Sequence, residues 1–227
     1  MDKFQEVLAN IAKKRAANPQ PTGTTPSSKA NSERPFRSNR NSRANYWKRE
    51  LNKNIPPLFR SAHIRNISKQ LIADVDTKKP EQGLLFWGKA GVGKSYVACA
   101  LLRRFICQRR KTSTERVSFE MLCLKLRSTF SGKDASELNI LSPLLTCDLL
   151  VLEDLGTSKS IGVSESDFSL RTVLALIDSR IENCLPTIIT TNKSVENLAA
   201  SFDDRIASRL SGFKIIKIDG ADKRAKL

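Results

Sequence analysis

The segment Gly88-Lys89-Ala90-Gly91-Val92-Gly93-Lys94-Ser95 has the pattern G-x-x-x-x-G-K-S. In such a loop, glycines let backbone N–H groups close around phosphates, the lysine ammonium meets the β- and γ-phosphates, and the serine hydroxyl ligates Mg²⁺. A second constellation, Asp148-Leu149-Leu150-Val151-Leu152-Glu153-Asp154, follows about 60 residues later. An apolar strand ending in carboxylates suits triphosphate chemistry: one acid holds the cation through its waters and the next polarises the attacking water. Ser95 and Glu153 are therefore the candidate metal ligands, with Asp154 as the candidate catalytic acid.

Two further groups could complete the site. Thr190-Thr191-Asn192 closes a β-branched run; Asn192 is placed either to touch the γ-phosphate or the lytic water, or as an ordinary strand-end turn residue. Arg205 and Arg209, in Asp203-Asp204-Arg205-Ile206-Ala207-Ser208-Arg209-Leu210, share one helix face. One of them is a candidate arginine finger that crosses a subunit boundary to neutralise phosphoryl charge. The alternative is an internal pair with Asp203 or Asp204.

These residues need a scaffold that gathers strand ends. Gly83–Trp87 reads as a strand entering the loop and Tyr96–Ile106 as the helix leaving it, so that the helix N-terminus faces the anion. Arg116–Phe119, Leu149–Leu152, Thr187–Thr191 and Phe213–Ile218 read as strands. Glu120–Phe130, the stretch marked by Leu170, Val173, Leu174, Ile177 and Ile181, and Asp203–Leu210 read as helices. Alternation of this kind predicts a parallel sheet covered by helices on both faces. The folded domain is expected to begin near Ile55-Pro56-Pro57-Leu58-Phe59, followed by a helix through about Val75.

Ahead of that domain the chain changes character. Phe4, Val7, Leu8 and Ile11 fall on one face of a short amphipathic helix, predicted to dock on a partner because it has no core of its own. From Ala12 to Pro35 there is no large aliphatic or aromatic side chain, a composition that cannot offset its ordering entropy. Arg34, Arg37, Arg40, Arg43, Lys48 and Arg49 then interleave with Phe36, Tyr46 and Trp47. That mixture either binds single-stranded nucleic acid, cations on phosphates and rings on bases, or forms a basic tail whose aromatics pack on the domain surface. The expected organisation is a docking helix over 1–15, a disordered basic linker over 16–50, and the nucleotide-binding domain over 51–227.

Charge supports a polyanionic partner. The 227 residues carry a net +16, and residues 1–60 alone hold 13 Lys/Arg against 4 Asp/Glu, which selects nucleic acid or an acidic membrane surface. Five cysteines without a C-x-x-C pair, and a single histidine, His63, argue against zinc and for buried thiols in a reducing compartment. The N-terminus has no signal-peptide core, and the longest apolar run, Tyr96 to Leu102, is seven residues, against about 20 for a membrane span. A soluble cytoplasmic protein is expected.

Taken in order, G-x-x-x-x-G-K-S, L-L-V-L-E-D-L-G, T-I-I-T-T-N and D-x-R-I-x-S-R-L resemble the AAA+ ATPases of the DnaC/IstB group, helicase loaders and transposition helpers, from about Ile55 to Ile218. The resemblance implies an α/β P-loop core with a five-stranded parallel sheet in the order 5-1-4-3-2, ATP and Mg²⁺ as cofactors, and Ile55–Phe59 near adenine. It makes Gly88–Ser95 the Walker A loop, Glu153 and Asp154 the Walker B acids, Asn192 sensor 1, and Arg209 the trans arginine finger, with Arg205 second. Two departures stand out: family Walker B motifs usually begin with Asp, where this chain has Glu153 before Asp154, and little sequence follows the last strand, so the helical lid with its sensor 2 arginine is expected to be absent and a neighbouring subunit to close over ATP. The leading expectation is a loader that grips a replicative helicase, self-associates side by side when ATP-bound and sits on single-stranded DNA. The alternatives are a transposition ATPase and a nucleotide-switched DNA-binding adaptor with negligible hydrolysis.

Overall fold

The computed structural model describes residues 39–75, 83–108, 112–131, 136–156 and 167–224. The Phe4–Ile11 face, and residues 16–38 of the expected linker, lie outside them. Five strands, β1 (Leu84–Trp87), β2 (Thr114–Ser118), β3 (Leu149–Glu153), β4 (Thr187–Thr191) and β5 (Lys214–Lys217), form one sheet in the order β2-β3-β4-β1-β5. Every pairing is parallel. The order is the one the family resemblance implies.

Strand chemistry explains the positions. All residues of β3 and β4 are buried, as near-continuous apolar strands in the middle of a doubly covered sheet must be. The edges go to β2 and β5, whose Glu115, Arg116, Lys214 and Lys217 discourage further pairing. Along each strand the side chains alternate between two cores. Leu85, Leu150, Leu152 and Ile189 enter one, whereas Phe86, Leu149, Val151 and Ile188 enter the other. The first core is closed by α4 (Phe119–Ser128), α5 (Glu137–Thr146), α6 (Asp167–Glu182) and α8 (Asp204–Leu210). The second is closed by α1 (Asn39–Asn54) and α3 (Lys94–Gln108). The short helices α2 (Lys69–Asp74) and α7 (Val195–Ser201) complete the set.

Four local expectations are corrected. The basic segment is helical from Asn39, so the linker expected through residue 50 ends earlier. Helix α1 is poor in apolar residues, and polar contacts fix it to the edge of the sheet. The Thr112 N–H donates to Tyr46 Oη at 2.7 Å, Asn54 Nδ2 donates to Thr114 O at 3.1 Å, and Lys53 pairs with Glu115. Trp47 and Leu51 pack on the second core, and the Arg43 guanidinium lies 4.4 Å from the Trp47 ring centroid; Tyr46 and Trp47 thus pack on the domain. The helix expected through Val75 is broken into 3-10 turns at Pro57–Phe59 and Ile64–Asn66 before α2, which Ser68 caps. Strand β2 starts two residues early and Phe119 opens α4, because the Ser118 side chain accepts from Met121 N–H as an N-cap. Of the cysteines, Cys99, Cys123 and Cys147 are buried, but Cys184 is exposed.

At the N-terminal ends of β3 and β4 the fold is tied by Arg180, which is 1% exposed. Its guanidinium donates to the carbonyls of Leu144, Cys147 and Pro186 and to Thr187 Oγ1, at 2.7 to 3.1 Å. A buried cation is stable only while its N–H groups have acceptors. Arg180→Met would remove the guanidinium's hydrogen bonds to all four oxygens at once and is expected to lower unfolding free energy by about 3 kcal/mol. Urea denaturation checks this, and nucleotide affinity at the far end of the sheet should stay unchanged in the folded protein.

Candidate active site

Parallel strands deliver their C-terminal ends to one edge, where ligands bind in open α/β sheets. The ends of β1, β3 and β4 carry Gly88–Ser95, Glu153-Asp154 and Asn192. After Trp87 the chain turns through Gly88 (φ 150°), Gly91 (φ 76°) and Gly93 (φ 107°) and enters α3 at Lys94. A Cβ at Gly88 would stand 2.2 Å from the Ile218 carbonyl oxygen, and one at Gly91 1.9 Å from Asp222 Oδ1. Positive φ favours glycine at both, and at Gly88 the approach of backbone demands it as well.

Lys94 joins two of the expected groups. Its Nζ donates to Gly88 O and Lys89 O, both at 2.8 Å, and to Asn192 Oδ1 at 2.7 Å. The side chain is nearly enclosed, and burial lowers its pKa from the ordinary lysine value; Asp154 opposes that shift and Arg224 adds to it. Asn192 therefore sits against the phosphate-loop lysine, beyond the ordinary turn role that the sequence left open.

Glu153 and Asp154 differ sharply in setting. Glu153 ends β3 and is 4% exposed; Asp154 is exposed and adopts φ 56°. Bonds to β4 hold that turn: Asp154 N–H donates to Thr190 Oγ1 at 3.1 Å, Leu155 N–H to Thr190 O at 2.9 Å, and Thr191 Oγ1 to Leu155 O at 2.7 Å. Burial pushes the Glu153 carboxyl above its ordinary range, while Arg116 and the Ser95 hydroxyl pull it back toward the charged form. Its Oε2 is paired with Arg116, and its Oε1 is buried without a hydrogen-bond partner among the described residues.

That orphaned oxygen beside Ser95 tests the fit of a divalent ion. A carboxylate and a hydroxyl are hard oxygen donors, and Mg²⁺ takes few protein ligands while keeping its waters. The residues present fit Mg²⁺. No cluster of three or more His, Cys, Asp or Glu able to hold a metal occurs among the described residues.

The arginines lie elsewhere. Arg205 NH2 pairs with Asp203 Oδ2 at 3.0 Å, the internal arrangement the sequence left open. Arg209 instead makes a two-pronged pair with Asp178 of α6, Nε to Oδ1 at 2.7 Å and NH2 to Oδ2 at 3.2 Å. Both partners line a groove of ≈ 750 Å³ together with Gly83 and Thr187, the N-terminal ends of β1 and β4. The length of β1 therefore separates Arg209 from the phosphate loop of its own chain.

Three features were not read from the sequence. Arg116, on β2, pairs with Glu153; the only hint was a charged residue within a short strand. Asp178 is one polar position on an apolar helix, with nothing in its spacing to mark it. The segment after β5 lies against the phosphate loop, Lys223 N–H donating to Gly91 O at 3.0 Å. Glycines at 88 and 91 required a close neighbour without saying which.

Among the described residues no helix is long and apolar enough to cross a membrane. The family model described as "IstB-like ATP binding protein" matches residues 58–210. The replicative helicase loader DnaC of Escherichia coli strain K12 is 26% identical over 126 residues, 56% of this chain and 49% of the loader, and that of Shigella flexneri matches to the same extent. The chain thus spans about half the length of these curated relatives. The crystal structure of the DnaC helicase loader superposes with a TM-score of 0.60 at 21% identity, covering 72% of this chain and 100% of that one. DnaI gives 0.59 at 19% identity over 75% and 94%, and AMPPCP-bound DnaA from Aquifex aeolicus 0.59 at 15% over 73% and 52%. At such identities the likeness establishes the fold, the AAA+ P-loop architecture. With the family model running from before the phosphate loop through the Arg205–Arg209 helix, the chain belongs to the IstB-like ATP-binding protein family.

Proposed function

We propose that this protein is an ATP-hydrolysing replication factor that binds the replicative helicase and places it on single-stranded DNA. The single observation behind the ATPase reading is the convergence on Lys94: its ammonium already links the phosphate loop to Asn192, with Glu153 and Ser95 alongside. In this reading Lys94 exchanges its carbonyl partners for β- and γ-phosphate oxygens, and the loop N–H groups take the rest. Ser95 and Glu153 would hold Mg²⁺, which when bound would neutralise charge spread over the phosphates. Asp154, exposed and turned outward by its positive φ, accepts the proton of the attacking water, and Asn192 orients that water. Arg209 completes the site of the next protomer, which makes hydrolysis depend on side-by-side assembly.

The helicase-loading part rests on the similarity to the DnaC loaders and on the sequence expectation for Phe4, Val7, Leu8 and Ile11 as a helicase-gripping face. The basic surface, Arg43, Lys48 and Arg49 included, is proposed to contact single-stranded DNA. The IstB-like family match supports a second reading, which the sequence resemblance implied: a transposition helper acting on duplex DNA. Pull-down from native extract distinguishes them: a replicative helicase recovered by the full chain, and lost on deleting residues 1–12 with ATPase activity spared, supports the loader. Recovery of a transposase supports the second reading.

Substitutions separate the roles. Lys94→Ala is expected to weaken ATP binding about 100-fold, the loss of a charge-assisted set worth ~3 kcal/mol; retained tight binding of labelled ATP would refute the site. Arg209→Ala should leave ATP affinity within twofold while cutting DNA-stimulated turnover by about 10³. Equal loss of binding and turnover would assign Arg209 a purely structural role.

A further inference from the structure

We infer that Asp178 is the positioning residue of the trans arginine, a proposal that rests on Arg209 acting in a neighbour's site. The pair is geometrically complete. Asp178 engages Nε and NH2 of Arg209, and NH1 donates to the Arg205 carbonyl at 3.3 Å. A guanidinium has five N–H bonds in one plane. With three of them engaged, the plane is fixed and two N–H bonds are left to meet a further acceptor.

Both supports are rigid. Asp178 lies between Ile177 and Ser179, which are buried, and two residues before the fully enclosed Arg180. Arg209 is flanked on α8 by Ile206 and Leu210, each 0% exposed. The pair itself stays one-third exposed, 33% for Arg209 and 37% for Asp178, on the wall of the open groove that also holds Ile181 and Glu182. It is therefore presented at the surface, and it is too solvated to serve mainly as a stability element.

An unsupported arginine samples many rotamers, and ordering it at the moment of reaction opposes catalysis. Asp178 removes that freedom before the subunits meet. Lying in the groove at the amino ends of the strands, away from the phosphate loop of its own chain, it acts through Arg209.

The test is a double-mutant cycle on the full-length protein, reading DNA-stimulated ATPase at saturating ATP, ATP affinity and the urea midpoint. Asp178→Ala is expected to lower kcat about tenfold with ATP affinity within twofold, and to have no further effect once Arg209→Ala is present. Asp178→Asn, which keeps one acceptor, should recover part of the loss, and it carries the test if Asp178→Ala fails to fold. Equal losses with and without Arg209 would make Asp178 structural and overturn the proposal. Unchanged kcat for Asp178→Ala alongside a large Arg209→Ala defect would overturn this proposal alone. An Arg209→Ala protein with full turnover would overturn the finger reading, and this proposal with it.

Discussion

An ammonium group enclosed by carbonyl oxygens is the constraint around which the site is arranged. Lys94 is 6% exposed, and a buried cation is tolerable only when its donors are satisfied. The acceptors come from two places, the loop after β1 and the residue after β4. They meet because β1 and β4 are hydrogen-bonded neighbours in register, Trp87 beside Thr191. The partners are also provisional by nature. Triphosphate oxygens attract an ammonium more strongly than neutral carbonyls do, so the enclosure that satisfies Lys94 without nucleotide also aims it at one.

Sheet polarity gives the molecule two poles. The carboxyl ends of the strands carry Lys94, Ser95, Glu153 and Asn192, and the amino ends carry Arg180 and the groove with Asp178 and Arg209. A finger at the pole opposite its own phosphate loop is of use only to another copy. In the proposed reading of Arg209, that placement would turn sheet direction into a need for neighbours. The proposed coupling between assembly and hydrolysis follows from that placement.

The sequence carried most of this pattern, for identifiable reasons. Leu149–Leu152 and Thr187–Thr191 are uninterrupted buried runs, and the phosphate loop needs glycine at fixed positions, so strand identity and site were legible together. Sheet order came through the family resemblance. What stayed hidden depends on partners distant in sequence. Nothing in Asn39–Asn54 announces a helix, because Tyr46, Lys53 and Asn54 are satisfied by residues 112 to 115. Arg209 showed its reach but not its partner, since Asp178 lies 31 residues away on another helix. The choice between an internal pair and a trans role could not be made from spacing: Arg205 took the first and Arg209 took neither of the nearby aspartates.

The reversed acids gain a physical meaning from their surroundings. Glu153 stands at the strand end where a shorter aspartate is usual, and its extra methylene carries the carboxylate to Arg116 on the edge strand as well as to Ser95. One oxygen is committed to the guanidinium; the other, with no hydrogen-bond partner among the described residues, is the one proposed to face a cation. Asp154, the shorter acid, is compensated by backbone: a left-handed φ of 56°, fixed by Thr190 and Thr191, turns it out of the sheet toward the field of Lys94. Aspartate tolerates that conformation better than most residues, because its short polar side chain bonds locally. Swapping the two acids thus exchanges reach for turn geometry, and the pair suits a site whose metal-side acid is braced from β2. In the proposed roles, whatever the backbone turn does not make up would fall on the water-side acid, whose side chain is one C–C bond shorter than a glutamate's, and displacements of ~1 Å can cost on the order of 100-fold in rate. That shorter reach is the physical ground for the proposal of slow hydrolysis completed by a neighbour.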